Sequence, residues 1–378
     1  MVGLARAVGL GLKQDSQPVD PRLLCSSSWW VEPSKVLACF AGAGENACAC
    51  DWYRIVDGFL GVDSEDLPLR QRFRTLYAEL LSEPPSCSQA TPWLRCHIQV
   101  QDGLPAHLVT FTAPSEVAII DFLLALFPGR GYVEMDHAAA GWRSLGFRDR
   151  ASPLLTVRGG QVLVDVRENW QPLVGNCAVN WLMQLQPELL FFHAAAVAIE
   201  GNGILIAGEK ASGKSTLSMA LAARGHDFFG DEIAAVRTET FQLAPFRRAV
   251  SVREGPQAPL VEKRLTEKCF LTEMFPDGKV RSRAQANQLF PAAGARPQPI
   301  RWVFFLRGFV DQPHAESFRP RSEDLRLLMP LACTFWGRSR TARIAQVARL
   351  LSNVNCYFLY PGLPEDTAEL VERIVRSE

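Results

Sequence analysis

The chain has 378 residues, of which 48% are hydrophobic and 21% charged, a balance that suits a packed core and excludes a disordered or low-complexity chain. Forty Lys and Arg offset forty Asp and Glu, so net charge gives no reason to expect nucleic acid or an anionic membrane as a partner. The longest apolar stretch, residues 117–127, is interrupted by Asp121 and is shorter than the ~20 residues of a membrane-spanning helix. The first twelve residues carry Arg6 inside their apolar run and lack a signal-peptide pattern, so a soluble, cytoplasmic chain of two domains or one elaborated domain is expected.

Residues 1–110 are broken by Pro18, Pro21, Pro33, Pro84, Pro85 and Pro92 and offer one helix, 67–81. Among ten cysteines, Cys39, Cys48 and Cys50 cluster without a second ligand pair or a nearby histidine, so free thiols rather than a zinc site are expected. Ser115 caps a helix over 116–127 that Pro128-Gly129 ends. Apolar alternation over 154–157 and 161–166 around Gly159-Gly160 predicts a hairpin, and a short helix follows over 177–185.

From Leu189 the pattern becomes that of a buried α/β unit. A strand-like run over 189–199 leads through Glu200-Gly201-Asn202-Gly203 into a second strand, 204–207. A glycine-rich loop then opens a helix over 214–224, with Gly225 in the position of a left-handed C-cap. A strand over 233–236 follows Asp231-Glu232. Farther along come a core strand over 301–306, helices over 323–331 and 341–351, a strand over 355–360 and a closing helix over 366–375.

The loop reads Gly208-Glu209-Lys210-Ala211-Ser212-Gly213-Lys214-Ser215-Thr216 and matches the phosphate-binding pattern G-x-x-x-x-G-K-[ST]. Gly208 and Gly213 let the backbone wrap so that successive N–H groups point at a β-phosphate. Lys214 brings a point charge to the β- and γ-phosphates, and Ser215 offers a hydroxyl to Mg²⁺. The helix beginning at Lys214 adds the positive end of its dipole. An apolar strand before the loop and a helix after it are the context this motif requires. ATP and Mg²⁺ are therefore the expected ligands.

Asp231-Glu232 comes one helix and one short strand after Ser215. Acids so close to the loop can hold Mg²⁺ or take a proton from an attacking hydroxyl. His193 can be placed by counting across the hairpin. A turn centred on Gly201-Asn202 sets it opposite Lys210, and one centred on Asn202-Gly203 sets it opposite Ser212. Directly opposed Cβ atoms sit ~4.5–5.5 Å apart, so either register brings the histidine to the loop. His226, after Gly225, reads as a helix-terminus residue.

The run from His193 through Ala-Ala-Ala-Val-Ala-Ile-Glu-Gly-Asn-Gly-Ile-Leu-Ile-Ala to Gly208, the loop, and Arg224-Gly225-His226 with Asp231-Glu232 together resemble the C-terminal kinase domain of HPr kinase/phosphorylase and its stand-alone relatives. The resemblance implies an α/β fold: a P-loop nucleotide-binding domain of HPr kinase type over 188–378, preceded by an N-terminal α/β extension over 1–187. It also implies that Asp231 is the general base on an acceptor hydroxyl, that Lys214 and Ser215 hold phosphates and Mg²⁺, and that His193 orients the phosphate site. Glu232, standing where the family has a second Asp, would be a metal ligand. The family's glycine-rich signature after the acid pair is absent, which removes the reason to expect HPr itself as the acceptor. The expected activity is phosphorylation of a hydroxyl on a protein, a peptide or a small alcohol. A nucleotide-binding module without phosphotransfer is the alternative, and an ABC-type ATPase is disfavoured because no Leu-Ser-Gly-Gly-Gln-like segment occurs.

Overall fold

The computed structural model describes residues 50–85, 91–100, 106–113, 132–135, 143–147, 155–158, 161–165, 170–253, 271–274, 280–328 and 340–377. The expected helix over 116–127 and residues Cys39 and Cys48 lie outside them. The fold is mixed α/β with several sheets. No helix of the described residues is long and apolar enough to cross a membrane.

The first part consists of β1 (Asp51–Ile55), β2 (Gly58–Ser64), α1 (Leu67–Leu76), β3 (Leu81–Ser82), β4 (Trp93–Gln99), β5 (Ala106–Thr112), β6 (Tyr132–Met135), β7 (Arg143–Phe147), β8 (Leu155–Arg158), β9 (Gln161–Asp165) and α2 (Trp170–Gln184). Its strands form one sheet in the order β3-β1-β2-β4-β5-β9-β8-β7-β6, in which only the β2–β4 pair is parallel. Alternate residues Tyr53, Leu60, Val62, Leu94, Cys96 and Ile98 are fully buried and share a cluster with Phe73 of α1 and Leu182 of α2. Asp66 caps α1 by accepting from the Leu69 N–H at 2.6 Å, and Pro68 sits in the first turn, where its missing N–H costs nothing. The expected hairpin around Gly159-Gly160 pairs as Arg158↔Gln161. The helix expected over 177–185 is longer, beginning at Trp170.

The second part runs through β10 (Leu189–Phe192), β11 (Ala195–Ile199), β12 (Asn202–Ala207), α3 (Lys214–Ala223), β13 (Asp227–Gly230), β14 (Ala234–Arg237), β15 (Gln242–Ala244), β16 (Val250–Arg253), β17 (Leu271–Met274), β18 (Val280–Ala284), α4 (Ala286–Leu289), β19 (Gln298–Leu306), β20 (His314–Phe318), α5 (Leu325–Leu328), α6 (Arg340–Ser352), β21 (Asn355–Tyr360) and α7 (Pro364–Ser377). Its main sheet is ordered β10-β14-β15-β19-β12-β11-β13, with β21 joining β19 to β20. Strands β12, β19 and β21 run parallel. Their side chains are buried on both faces. Ile204 and Ile206 join a cluster with Leu217 of α3 and Val371 of α7, while Leu205 and Ala207 join one with Val347 and Leu350 of α6. Two covered faces explain why these strands read as unbroken apolar runs.

The first buried cluster does not stop at α2: it includes Leu189, Phe191, Ala235, Phe246 and Ala249 of the second part. Ion pairs Arg237–Asp57 and Arg247–Glu79 also join the two parts. A buried core therefore runs across the 187/188 boundary expected from sequence.

Candidate functional site

Register brings the residues singled out by sequence to one end of the main sheet. The start of β11 pairs on one side with the end of β12, Ala195↔Ile206, and on the other with the end of β13, Ala196↔Gly230. The 208–216 loop leaves from β12 and Asp231 leaves from β13, so they emerge on either side of one strand, roughly 10 Å apart at two strand spacings. His193 lies in the turn that enters β11. That turn also follows β10, whose last pair, Phe192↔Ala234, sets it beside the start of β14 and hence beside Glu232-Ile233.

The hairpin register differs from the sequence expectation. The two-residue turn is Glu200-Gly201, both at positive φ (51° and 82°), with Ile199↔Asn202 and Ala195↔Ile206 as end pairs. His193 is therefore opposite neither Lys210 nor Ser212; continued, the register would set it against Gly208. The strand expected over 189–199 is also broken at this point. The Ala194 N–H donates to the Phe192 carbonyl at 2.8 Å, closing a tight turn on His193 that passes the chain from β14 to the β12–β13 pair. Gly203, offered as a turn residue by sequence, instead lets β19 approach: a Cβ there would meet the Pro299 carbonyl at 2.9 Å.

The loop's form follows from its glycines and one lysine. A Cβ on Gly208 would meet the Ser212 hydroxyl at 2.6 Å and Leu306 Cβ at 3.1 Å, so a side chain there would crowd the loop. Gly213 has φ +97° and N-caps α3, and Ala211 also sits at φ +68°. Left-handed residues alternating with others turn successive N–H groups inward, the arrangement that cradles anions. The Lys214 ammonium is bent back across the loop, donating to the Gly208 and Glu209 carbonyls at 2.9 and 2.8 Å. The Ser212 hydroxyl is buried with no hydrogen-bond partner among the described residues. Ser215 and Thr216 are half-buried in the first turn of α3, whereas Glu209, Lys210 and Ala211 are exposed. An orphaned buried hydroxyl, a buried ammonium and a helix N-terminus in one loop fit a phosphate chain.

The acid pair divides. Asp231 is only 3% exposed, and its charge works against the burial that pulls the Arg283 guanidinium below its ordinary value. Arg283 itself is 5% exposed, on the central strand of the β16-β18-β17 sheet. Glu232 is half-buried and ion-paired with Arg248. Neither arginine carries a sequence signal of its own, because tertiary packing alone brings Arg248 to Glu232 and sets Arg283 within the field of Asp231. Among the described residues no three His, Cys, Asp or Glu are grouped to hold a metal ion. Burial pushes the Cys50 thiol up to about 11, which makes it a poor nucleophile.

His226 is structural, as its place after Gly225 suggested. Its Nε2 lies 2.6 Å from Glu372 Oε1, while Arg224 grips the same carboxylate with Nε and Nη2 at 2.6 and 2.8 Å. The cluster pins α7 to the end of α3. The Arg224 hydrogen bond, helped by His226 and resisted by desolvation, lowers Glu372 from 4.5 to about 2. A depressed folded pKa means this stabilisation is complete above about pH 4.5 and is lost as pH falls toward 2. Asp51 behaves alike: burial raises it, but Arg70 and Arg74 overcome that and hold it at about 2. Glu372→Gln should therefore flatten, but not abolish, the acid limb of stability in urea denaturation at pH 2–6. An unchanged limb would remove Glu372 from the linkage.

No family model matches the chain, and neither does any curated protein. Among solved structures it is similar to the Hpr(Ser) kinase/phosphatase from Coxiella burnetii, at 17% identity over 50% of this chain and 94% of that one, with a TM-score of 0.25.

Proposed function

We propose that the chain binds ATP with Mg²⁺ at the 208–216 loop and transfers the γ-phosphoryl group to a hydroxyl on a protein, a peptide or a small alcohol. The supporting observation is that the loop, His193 and Asp231 all leave the sheet around the first residues of β11. Loop N–H groups, the Ser212 hydroxyl and the Lys214 ammonium hold the phosphates. Ser215 provides a hydroxyl ligand for Mg²⁺, which when bound neutralises charge on the phosphate oxygens. Asp231 takes the proton of the acceptor hydroxyl as its oxygen bonds to the γ-phosphorus and the bridging oxygen departs with ADP. His193 orients the γ-phosphate from the turn before β11.

One observation favours a second reading, a nucleotide-binding module without transfer. The Arg248 ion pair engages Glu232, the acid proposed as a metal ligand. Calorimetry with MgATP, followed by γ-labelled ATP offered to seryl peptides and small alcohols, separates the two. Binding with transfer supports the kinase, binding alone supports the module, and no binding removes both.

A further inference from the structure

Among the described residues five large hydrophobic side chains are exposed, namely Leu67, Leu81, Phe309, Ile344 and Leu363, and Phe309 is the one aromatic. It is 57% exposed, yet its ring lies against the loop: a Cβ on Gly213 would meet Phe309 Cζ at 3.3 Å and Cε1 at 3.4 Å. Phe309 stands three residues beyond β19, the parallel neighbour of β12, so it leaves the sheet at the same end as the loop. The backbone on either side of it is fixed. The Arg307 N–H donates to the Leu359 carbonyl at 2.8 Å, and the Val310 N–H donates to the Pro361 carbonyl at 2.9 Å. The Arg307 guanidinium is itself occupied, lying 4.2 Å from the centre of the Phe358 ring. A scattered exposed hydrophobic needs no explanation. A phenyl ring held on a pinned backbone, 57% exposed beside the loop, offers apolar surface that suits a stacked aromatic partner.

We propose that Phe309 is the platform on which the nucleobase of the bound nucleoside triphosphate stacks. The proposal rests on the nucleotide-binding reading above and extends it by assigning the base subsite. The phosphates lie in the 208–216 loop, and the base folds over the edge of that loop at Gly213 onto the ring. Because every base has a π-face, the platform serves ATP and GTP alike.

The test compares MgATP with magnesium tripolyphosphate, which has the phosphates but no base, by calorimetry on the full chain. Phe309→Leu keeps apolar bulk against Gly213, and Phe309→Trp keeps an aromatic face. In Phe309→Leu, MgATP affinity should fall about tenfold, within the range for losing one base–aromatic stack, while tripolyphosphate affinity stays the same. Phe309→Trp should retain MgATP binding and show indole quenching on addition of nucleotide. Equal losses for both probes would make Phe309 a prop for the loop, and unchanged MgATP affinity in Phe309→Leu would remove its role; either result overturns the proposal. Wild-type protein that binds neither probe overturns the nucleotide reading itself, a result distinct from either of those.

Discussion

Lys214→Ala should lower MgATP affinity by about 10²-fold or more, because it removes the side-chain cation held over the loop and charge-assisted hydrogen bonds are worth ~1.5–3 kcal/mol each. The lysine is 7% exposed, and its ammonium bridges two loop carbonyls. The substitution therefore strips those carbonyls of a donor as well. Thermal unfolding measured alongside calorimetry separates a loosened loop from a lost phosphate contact. Lys214→Met keeps most of the buried stem without the charge. Both variants should lose MgATP binding to a similar degree, with Lys214→Met the more stable. Undiminished affinity in a folded Lys214→Met protein would sink the loop assignment and the kinase reading with it.

The sequence disclosed the second part of the fold better than the first, and the reason is how each sheet is covered. Strands β12, β19 and β21 lie between two buried clusters, so nearly every residue is apolar and the run stands out. Strands β1 and β2 bury Tyr53, Ile55, Leu60 and Val62 on one face and mix Trp52, Arg54, Phe59, Gly61 and Asp63 on the other. Gly61 is small because the Trp52 ring lies over it, 2.9 Å from where a Cβ would sit. A glycine that accommodates a neighbouring strand's side chain looks, in sequence, like a breaker. The same ambiguity misled the hairpin count. Asn202 and Gly203 are the better turn formers by type, yet Gly203 is required inside β12 against Pro299, which leaves Glu200 to adopt the left-handed conformation. A shift of that turn moved the partner of His193 while leaving it at the same end of the sheet.

The loop was legible because all of its parts are local: two glycines, a lysine and the helix that follows. The surroundings of the acid pair were not. Arg248 is 16 residues from Glu232 in sequence, and the charge of Asp231 acts on Arg283 of a separate three-stranded sheet. Composition and spacing carry no trace of such an environment.

That arginine environment shapes the second large effect, Asp231→Asn. Asparagine keeps the volume and removes the charge, so phosphotransfer should fall by ~10²–10⁴, the range for losing a general base, with MgATP affinity within a few-fold of wild type. The same change withdraws the negative charge that supports the buried Arg283 cation, so the protein should also be less stable. A rate lost through partial unfolding would look like a rate lost through chemistry. Adding Arg283→Met to Asp231→Asn resolves this, since it removes the cation that the asparagine no longer supports. The double variant should recover much of the lost thermal stability and none of the lost transfer rate. Recovery of the rate together with stability would make Asp231 a structural counter-ion, and the nucleotide-binding module would then be the better reading. A wild-type transfer rate in Asp231→Asn alone would reach the same conclusion directly, because a carboxylate that takes the acceptor's proton cannot be replaced by an amide that has no charge to take it with.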